Sequence, residues 1–361
     1  MAPTDRLQAI AQARQTLLGE RSQQPQTLLA SWLQRGWQRC QTWGMAPEQR
    51  VGFDAVSTAR MRQVADENRP LVQAARPVLA EMVRAMGNIG YFAILTNAEG
   101  IVIDVQGPVD RTDQRADVIA RVGVDLSERA VGTTAISAAL SELQPVWLHR
   151  GEHFFDDNSV YSCAGAPVFG PDGRCAGMLD LTGVEVAERP ALKHLVRRSA
   201  RSIENSWLLA APHALTLRLN WPGNQPGDDS DGLLTLDQDG RIIGANPTAR
   251  QMLSLETGHS STHASDVFAM PWENLFDAAQ RNEGHCEVPL WSGLRLQTQA
   301  HRRSSGTASA SPRSSGKALR DVETELIRQA VMRARGNVAE AARALGIGRA
   351  TVYRKLGQPK A

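Results

Sequence analysis

A chain of 361 residues is long enough for two or three domains, and 42% hydrophobic residues supply ordinary packed cores. The net charge of +2 hides an uneven split: from Arg302 onward thirteen Lys or Arg stand against four Asp or Glu, a balance of +9 that leaves −7 for the first 301 residues. No apolar run approaches the ~20 residues that span a bilayer, the N-terminus lacks the charged and apolar regions of a signal peptide, and the four cysteines are scattered without a C-x-x-C pair; membrane proteins, disulfide scaffolds and zinc ribbons are set aside in favour of a cytoplasmic chain.

Residues 1–60 form an N-terminal helical segment. From 61 to 212 the pattern predicts one α+β domain: helical spacing over Met61–Met86 interrupted by Pro70 and Pro77, a strand hairpin over Tyr91–Gly107 turning at Asn97–Gly100, and a helix around Thr133–Leu143. The strand PVWLH follows, then a polar loop, a second hairpin over Tyr161–Gly183 with Gly170-Pro171-Asp172-Gly173 as its turn, and a closing helix from about Pro190 to Leu209. A break at WPGNQPGDDSDG, Trp221–Gly232, separates this from a short α/β segment, 228–300, that opens with DGLLTLDQDGRIIGANPTARQMLSL as strand, turn, strand and helix. The Ser/Gly-rich run from His301, placed at 301–318, has no apolar face and reads as a flexible tether.

The last segment, 319–361, is all-α. Leu319, Val322, Leu326, Ile327, Ala330, Val331 and Ala334 give one helix an apolar stripe, Gly336 ends it, and Asn337 caps a second helix whose Val338, Ala341, Ala342 and Leu345 share a face. Gly346 supplies a tight turn. The third helix seats on Ile347, Val352 and Leu356 and leaves Arg349, Ala350, Thr351, Tyr353, Arg354 and Lys355 exposed. That is a helix-turn-helix layout, with Arg349 placed for a bidentate contact to guanine and the later basic residues for phosphates. The concentration of positive charge here agrees with DNA as the partner.

GNVAEAARALGI followed by R-x-T-x-Y-R-K-L resembles the C-terminal DNA-binding domain of the Fis family, which implies a homodimer reading two half-sites. Gly348 stands where that family usually has Ser or Asn as the recognition-helix cap. SWLQRGWQRC, VGVDLSERAVGTTAISAAL and GEHFFDDNSVYSCAGAPVFGPDGRCAGMLDLTG, over about 31–209, resemble the GAF sensor domain of the acetoin-catabolism family of enhancer-binding regulators. The departures are Thr134, where the family commonly has Asn, and Leu126, where it often has an aromatic residue. The resemblance implies a cavity for a small effector, and Trp147, His149, His153, Phe154, Phe155, Tyr161 and Cys163 are the residues expected to wall it. The opening of the 228–300 segment is similar to the start of a PAS domain; its remainder is short for that fold, so a degenerate spacer or dimerisation module is expected.

Regulators resembling both ends of this chain carry an AAA+ ATPase between them. Neither a G-x-x-x-x-G-K-[ST] phosphate loop nor a GAFTGA string occurs in the 361 residues. The expectation is a ligand-responsive, DNA-binding regulator that works by occupancy, by contacts to RNA polymerase or by pairing with a full-length enhancer-binding regulator, with no catalytic residues, metal or cofactor. Two enzyme readings stand beside it. His149-Arg150-Gly151-Glu152-His153 matches the H-x-x-E-H string of inverted zinc peptidases, although a Pro145-led strand and Gly151 oppose the helix it needs. Cys163 offers a redox or nucleophilic centre, against the ordinary fate of a lone strand cysteine in a core. A DNA-architectural protein without effector is the third alternative.

Overall fold

Two helices, α1 (Pro3–Leu18) and α2 (Ser31–Thr42), open the chain. The computed structural model describes residues 3–18, 29–258, 262–281 and 284–303, together with Val338 and Ala342. Backbone contacts divide the chain into Met1–Arg303 and Ser304–Ala361, and both sheets belong to the first of these units. Residues 304–318 of the expected tether and the expected DNA-contacting residues, Arg349 to Lys355, lie outside the described residues.

The helical spacing of 61–86 resolves into α3 (Thr58–Glu67) and α4 (Arg69–Met86), divided at Asn68. Pro70 lies in the first turn of α4, where its missing N–H costs nothing, while Pro77 is carried inside the helix. The first hairpin is β1 (Tyr91–Asn97) and β2 (Val102–Gln106); the Asn97 side chain closes its turn by accepting from the N–H groups of Glu99 and Ile101. Three short helices come next, α5 (Gln114–Ile119), α6 (Glu128–Val131) and α7 (Ala135–Glu142). Thr134 and Ser137 cap α7 reciprocally, each side chain accepting from the other's N–H. Then come β3 (Val146–His149), β4 (Tyr161–Phe169), β5 (Cys175–Val184) and the long α8 (Leu192–Ala210).

These strands form one antiparallel sheet in the order β2-β1-β5-β4-β3. Successive side chains point to opposite faces, and both faces are covered, so β1 is buried at every position. One face carries Phe92, Ile94, Leu148, Cys163 and Met178 into a core shared with α2, α5 and α7. The other carries Tyr91, Ala93, Leu95, Trp147, Ala164, Leu179 and Leu181 against α4 and α8.

A second antiparallel sheet has the order β8-β7-β6-β10-β9, built from β6 (Leu215–Asn220), β7 (Gly232–Leu236), β8 (Ile242–Ala245), β9 (Cys286–Pro289) and β10 (Arg295–Arg302). Helices α9 (Pro247–Leu253), α10 (Ala264–Val267) and α11 (Glu273–Gln280) lie between β8 and β9. The strand-turn-strand-helix read at 231–255 is present, and the segment expected as a degenerate spacer or dimerisation module starts earlier than the boundary of 228 and holds a five-stranded sheet. Leu215–Asn220, upstream of the Trp221–Gly232 break, is the central strand, pairing with β7 on one side and β10 on the other. Its alternation of buried Leu215, Leu217 and Leu219 with Thr216, Arg218 and Asn220 gives the sheet a complete core of sixteen buried residues.

The two sheets are joined through α8 and the β4–β5 turn. Pro171 O accepts from Ala245 N at 3.0 Å and from Arg250 at 2.9 Å, and Asp172 O accepts from Gly258 N at 3.1 Å. On α8, the buried Glu204 accepts from Phe169 N at 2.9 Å. Burial raises its carboxyl from the ordinary 4.5 to about 8. Across that interval the folded chain holds a proton the unfolded chain has released, so this group's contribution is full below 4.5 and is lost as pH rises through 8. Glu204→Gln keeps the acceptor and removes the titration. It should raise the thermal midpoint at about pH 8.5 and flatten its decline from about pH 6, read by scanning calorimetry; identical profiles for the two proteins would show a hydrated carboxylate.

Candidate functional site

Between the α7 side of the first sheet and the loop that links β3 to β4 lies an enclosed cavity. Its apolar wall comes from Phe53, Ile119, Leu126, Val131, Ala135 and Ile136. Its polar atoms come from Thr134 at the α7 cap, His153 and Asn158 on the loop, Tyr161 and Cys163 on β4, and Thr182 on β5. The space open to the centre of a water molecule is about 10 Å³, room for roughly one water.

Of the residues expected to wall a cavity, His153, Tyr161 and Cys163 do so. Trp147 and His149 do not, because strand alternation turns them to the opposite face: Trp147 joins the core under α4 and α8, and His149 stacks on it at 6.3 Å with Nδ1 2.8 Å from Ser162 Oγ. Phe154 and Phe155 pack edge-to-face at 5.1 Å in the core beside the cavity, without lining it. The same parity disposes of the H-x-x-E-H string. His149 and His153 face different sides of the sheet, Glu152 is taken by the His149 N–H and by Arg6, and a 3-10 turn, not an α-helix, joins them. Among the described residues no group of three or more His, Cys, Asp or Glu is placed to hold a metal ion.

Sequence reasoning passed over Asn158, Phe53 and Thr182. Asn158 lies inside the DDNSVY run of a polar loop, where one more amide carries no distinguishing signal. The two departures noted from the sequence, Leu126 and Thr134, both lie on the cavity wall.

The polar atoms are mostly satisfied. Tyr161 donates to Arg115 O at 3.0 Å, Asn158 donates to Val131 O at 2.9 Å, and Cys163 Sγ lies 3.6 Å from Thr182 Oγ1. Two acceptors are not: His153 Nε2 and Asn158 Oδ1 are buried without a partner. His153 Nδ1 lies 2.8 Å from Arg150 O. A carbonyl can only accept, so the ring proton sits on Nδ1 and Nε2 presents a lone pair. Burial lowers the imidazole from 6.5 to about 4, keeping it neutral at physiological pH. Burial, with Asp180 nearby, pushes the Cys163 thiol well above its ordinary value, and burial raises the Tyr161 phenol. Asp180 itself, holding the Thr182 hydroxyl, is raised by burial to about 7 and its Oδ1 is unpartnered. The lining is therefore neutral, apolar over most of its area, and short of hydrogen-bond donors, which favours an uncharged occupant that can donate.

Residues 2–205, which include this cavity, match the family model described as MimR, N-terminal domain. The chain belongs to that family. Residues 318–358 match the model described as Bacterial regulatory protein, Fis family, so this member of the MimR family carries a Fis-type helix-turn-helix DNA-binding domain at its C-terminal end. The two described positions there, Val338 and Ala342, are helical, with Ala342 buried. Arg349, Ala350, Thr351, Tyr353, Arg354 and Lys355 fall within the matched range and outside the described residues.

Similar proteins include the acetoin catabolism regulatory protein of Cupriavidus necator, 30% identical over 275 residues, covering 73% of this chain and 40% of that protein. The propane 2-monooxygenase operon transcriptional activator MimR of Mycolicibacterium smegmatis is 30% identical over 206 residues, covering 56% of this chain and 33% of the activator. The chain thus spans 40% or less of the length of these relatives. Among solved structures, the E. coli DhaR(N)-DhaL complex is similar at 14% identity and a TM-score of 0.47, covering 76% of this chain and 100% of that one. Among the described residues no helix is long and apolar enough to cross a membrane.

Proposed function

We propose that this chain is a ligand-responsive, sequence-specific transcriptional regulator in which the first sheet domain acts as a GAF-type sensor, the second as a PAS-like module, and a Fis-type dimer binds a palindromic operator. The observation that carries the sensor half is an enclosed, neutral cavity with two buried acceptors lacking donors, in a chain with a Fis-type DNA-binding domain. The effector is a small uncharged molecule bearing a hydroxyl or other N–H or O–H donor, matched to His153 Nε2 and Asn158 Oδ1. Relatives named for acetoin catabolism and for a propane 2-monooxygenase operon support an effector of only a few carbon atoms. A Walker-type phosphate loop is absent from the sequence between the two ends, and regulation therefore proceeds without ATP-driven remodelling of sigma-54 polymerase, through occupancy, polymerase contacts or a full-length partner.

Catalysis is not part of this reading. The thiolate is the reactive form of cysteine, and the buried Cys163 has a raised pKa and a hydroxyl neighbour in place of a cation. The test is genome-wide DNA occupancy of the tagged chain beside the same chain truncated after Ser304. Sharp palindromic peaks lost on truncation are expected, and the genes beside them point to the effector class. Diffuse signal in both proteins would defeat the sequence-specific reading and leave an architectural protein or an enzyme.

A further inference from the structure

Both unpaired acceptors of the cavity ride on the loop between β3 and β4, and that loop is held from outside by α1. Arg14 donates through Nη1 to Gly151 O at 3.0 Å and His153 O at 2.6 Å, and through Nη2 to Phe154 O at 3.0 Å. The same guanidinium pairs with the Asp156 carboxylate. Eight residues earlier, Arg6 donates to both oxygens of Glu152, at 2.8 and 3.0 Å, and pairs with Glu188 at 2.5 Å. Midway between them, Ile10 is buried over Gly151, where a Cβ would lie 3.1 Å from Ile10 Cγ2. Arg6, Ile10 and Arg14 are spaced at i, i+4 and i+8, so a single stripe of α1 grips Gly151, Glu152, His153, Phe154 and Asp156.

We infer that α1 is a strap governing the opening of the cavity, with Arg14 as the residue that positions His153 and Asn158 for the occupant. The inference rests on reading this cavity as the effector site, and it follows from size. About 10 Å³ admits roughly one water, so an effector enters only if a wall moves. The sheet and α7 walls lie wholly in the main core, and the loop joins that core through Phe154 and Phe155 and α1 through Ile10; the loop's remaining ties to α1 are charged, with Arg6 28% and Arg14 16% exposed against Glu152 at 9% and Asp156 at 58%. Exposed ion pairs contribute little net stability and weaken with salt. Lifting α1 is therefore a local opening that costs far less than unfolding the domain. Arg14 gathers three carbonyls that converge in no other way, and its planar fork suits that task where a lysine's point charge does not.

Cys163 reports on the opening, because its Sγ faces the cavity and is buried in the closed state. The full-length chain, Arg14→Ala and Arg14→Lys would be treated with methyl methanethiosulfonate, and the labelling rate of each of the four cysteines followed by peptide mass spectrometry. Arg14→Ala should label Cys163 roughly tenfold faster or more, Arg14→Lys should fall between, and high salt should speed Cys163 in the unsubstituted chain. Cys40, buried in the same core with its Sγ on Thr133 and not on the cavity wall, and the half-buried Cys175 and Cys286 should keep their rates. Equal Cys163 rates in the three proteins would overturn the strap, as would a parallel rise at Cys40, which would mean general loosening. Because no effector is needed, the outcomes separate: fast Cys163 labelling in Arg14→Ala that no small neutral hydroxyl compound slows would keep the strap and retire the effector site.

Discussion

Arg349→Ala should reduce the preference for operator over non-specific DNA by about 1–3 kcal/mol per half-site, a loss of roughly 5- to 150-fold, and a dimer bears it twice. The reasoning is chemical. A guanidinium at the first turn of a recognition helix makes two parallel hydrogen bonds to guanine O6 and N7, and no other base pair presents those two acceptors in that place. On the proposed reading, alanine removes both bonds and leaves Arg354 and Lys355 to meet phosphates, so non-specific affinity should barely change. Competition binding at one fixed salt concentration, with an operator taken from the occupancy peaks against scrambled duplex, measures the ratio. Lys355→Ala is the contrasting variant, expected to weaken both duplexes alike and to lower the salt dependence by about one ion. An unchanged ratio in Arg349→Ala would remove Arg349 from base reading and pass the role to Thr351 or Tyr353.

Asn246→Ala should destabilise the second sheet by about 3–5 kcal/mol, although no charge and little apolar surface is lost. Asn246 is buried and uses its whole hydrogen-bonding capacity. Oδ1 accepts from Leu233 N at 3.0 Å and from Ala249 N at 2.8 Å, capping α9; Nδ2 donates to Asn205 Oδ1 and to Asp231 O, both at 2.9 Å. Alanine thus strips a helix cap and takes a partner from a β7 N–H, a main-chain carbonyl and Asn205 Oδ1 in the interior, each costing about 1–3 kcal/mol before relaxation. Asn205 belongs to α8, which packs on the first sheet, so the variant also cuts a bond between the two sheet domains. Urea unfolding should show the transition of the second sheet moving to lower denaturant. Asn246→Asp should not rescue it, since a carboxylate would face the Asn205 and Asp231 oxygens. A loss under ~1 kcal/mol would mean that water takes over the vacated bonds.

The strands and helices of the first domain were legible because each is a local pattern. The continuous apolar run Tyr91–Leu95, the Gly170–Gly173 turn and the capped run after Thr134 specify their conformations through neighbours a few residues away, and the structure places strands and helices there. The same was true of Leu215–Asn220, whose period of two is plain, yet the nearby Pro- and Gly-rich break drew attention away from it. Among the site residues, a rule already in the sequence separated the correct from the incorrect. Leu148 and Cys163 share one face of the sheet, and Trp147 and His149 must then occupy the other. Treating an aromatic-rich stretch as one wall ignored that alternation.

By itself, the sequence determined the regular elements, the largely apolar side chains with a few donors and acceptors available to a cavity, and the basic helix-turn-helix, because propensity, periodicity and charge are properties of short windows. Tertiary structure alone decided how large the cavity is, which two acceptors in it lack donors, and which segment holds it shut. Those depend on groups brought together across the chain, as Arg14 is brought to Phe154 over 140 residues. A helix stripe of Arg6, Ile10 and Arg14 advertises a face that wants partners. It does not say which carbonyls will meet it, since every main-chain carbonyl offers the same acceptor and only the fold chooses among them.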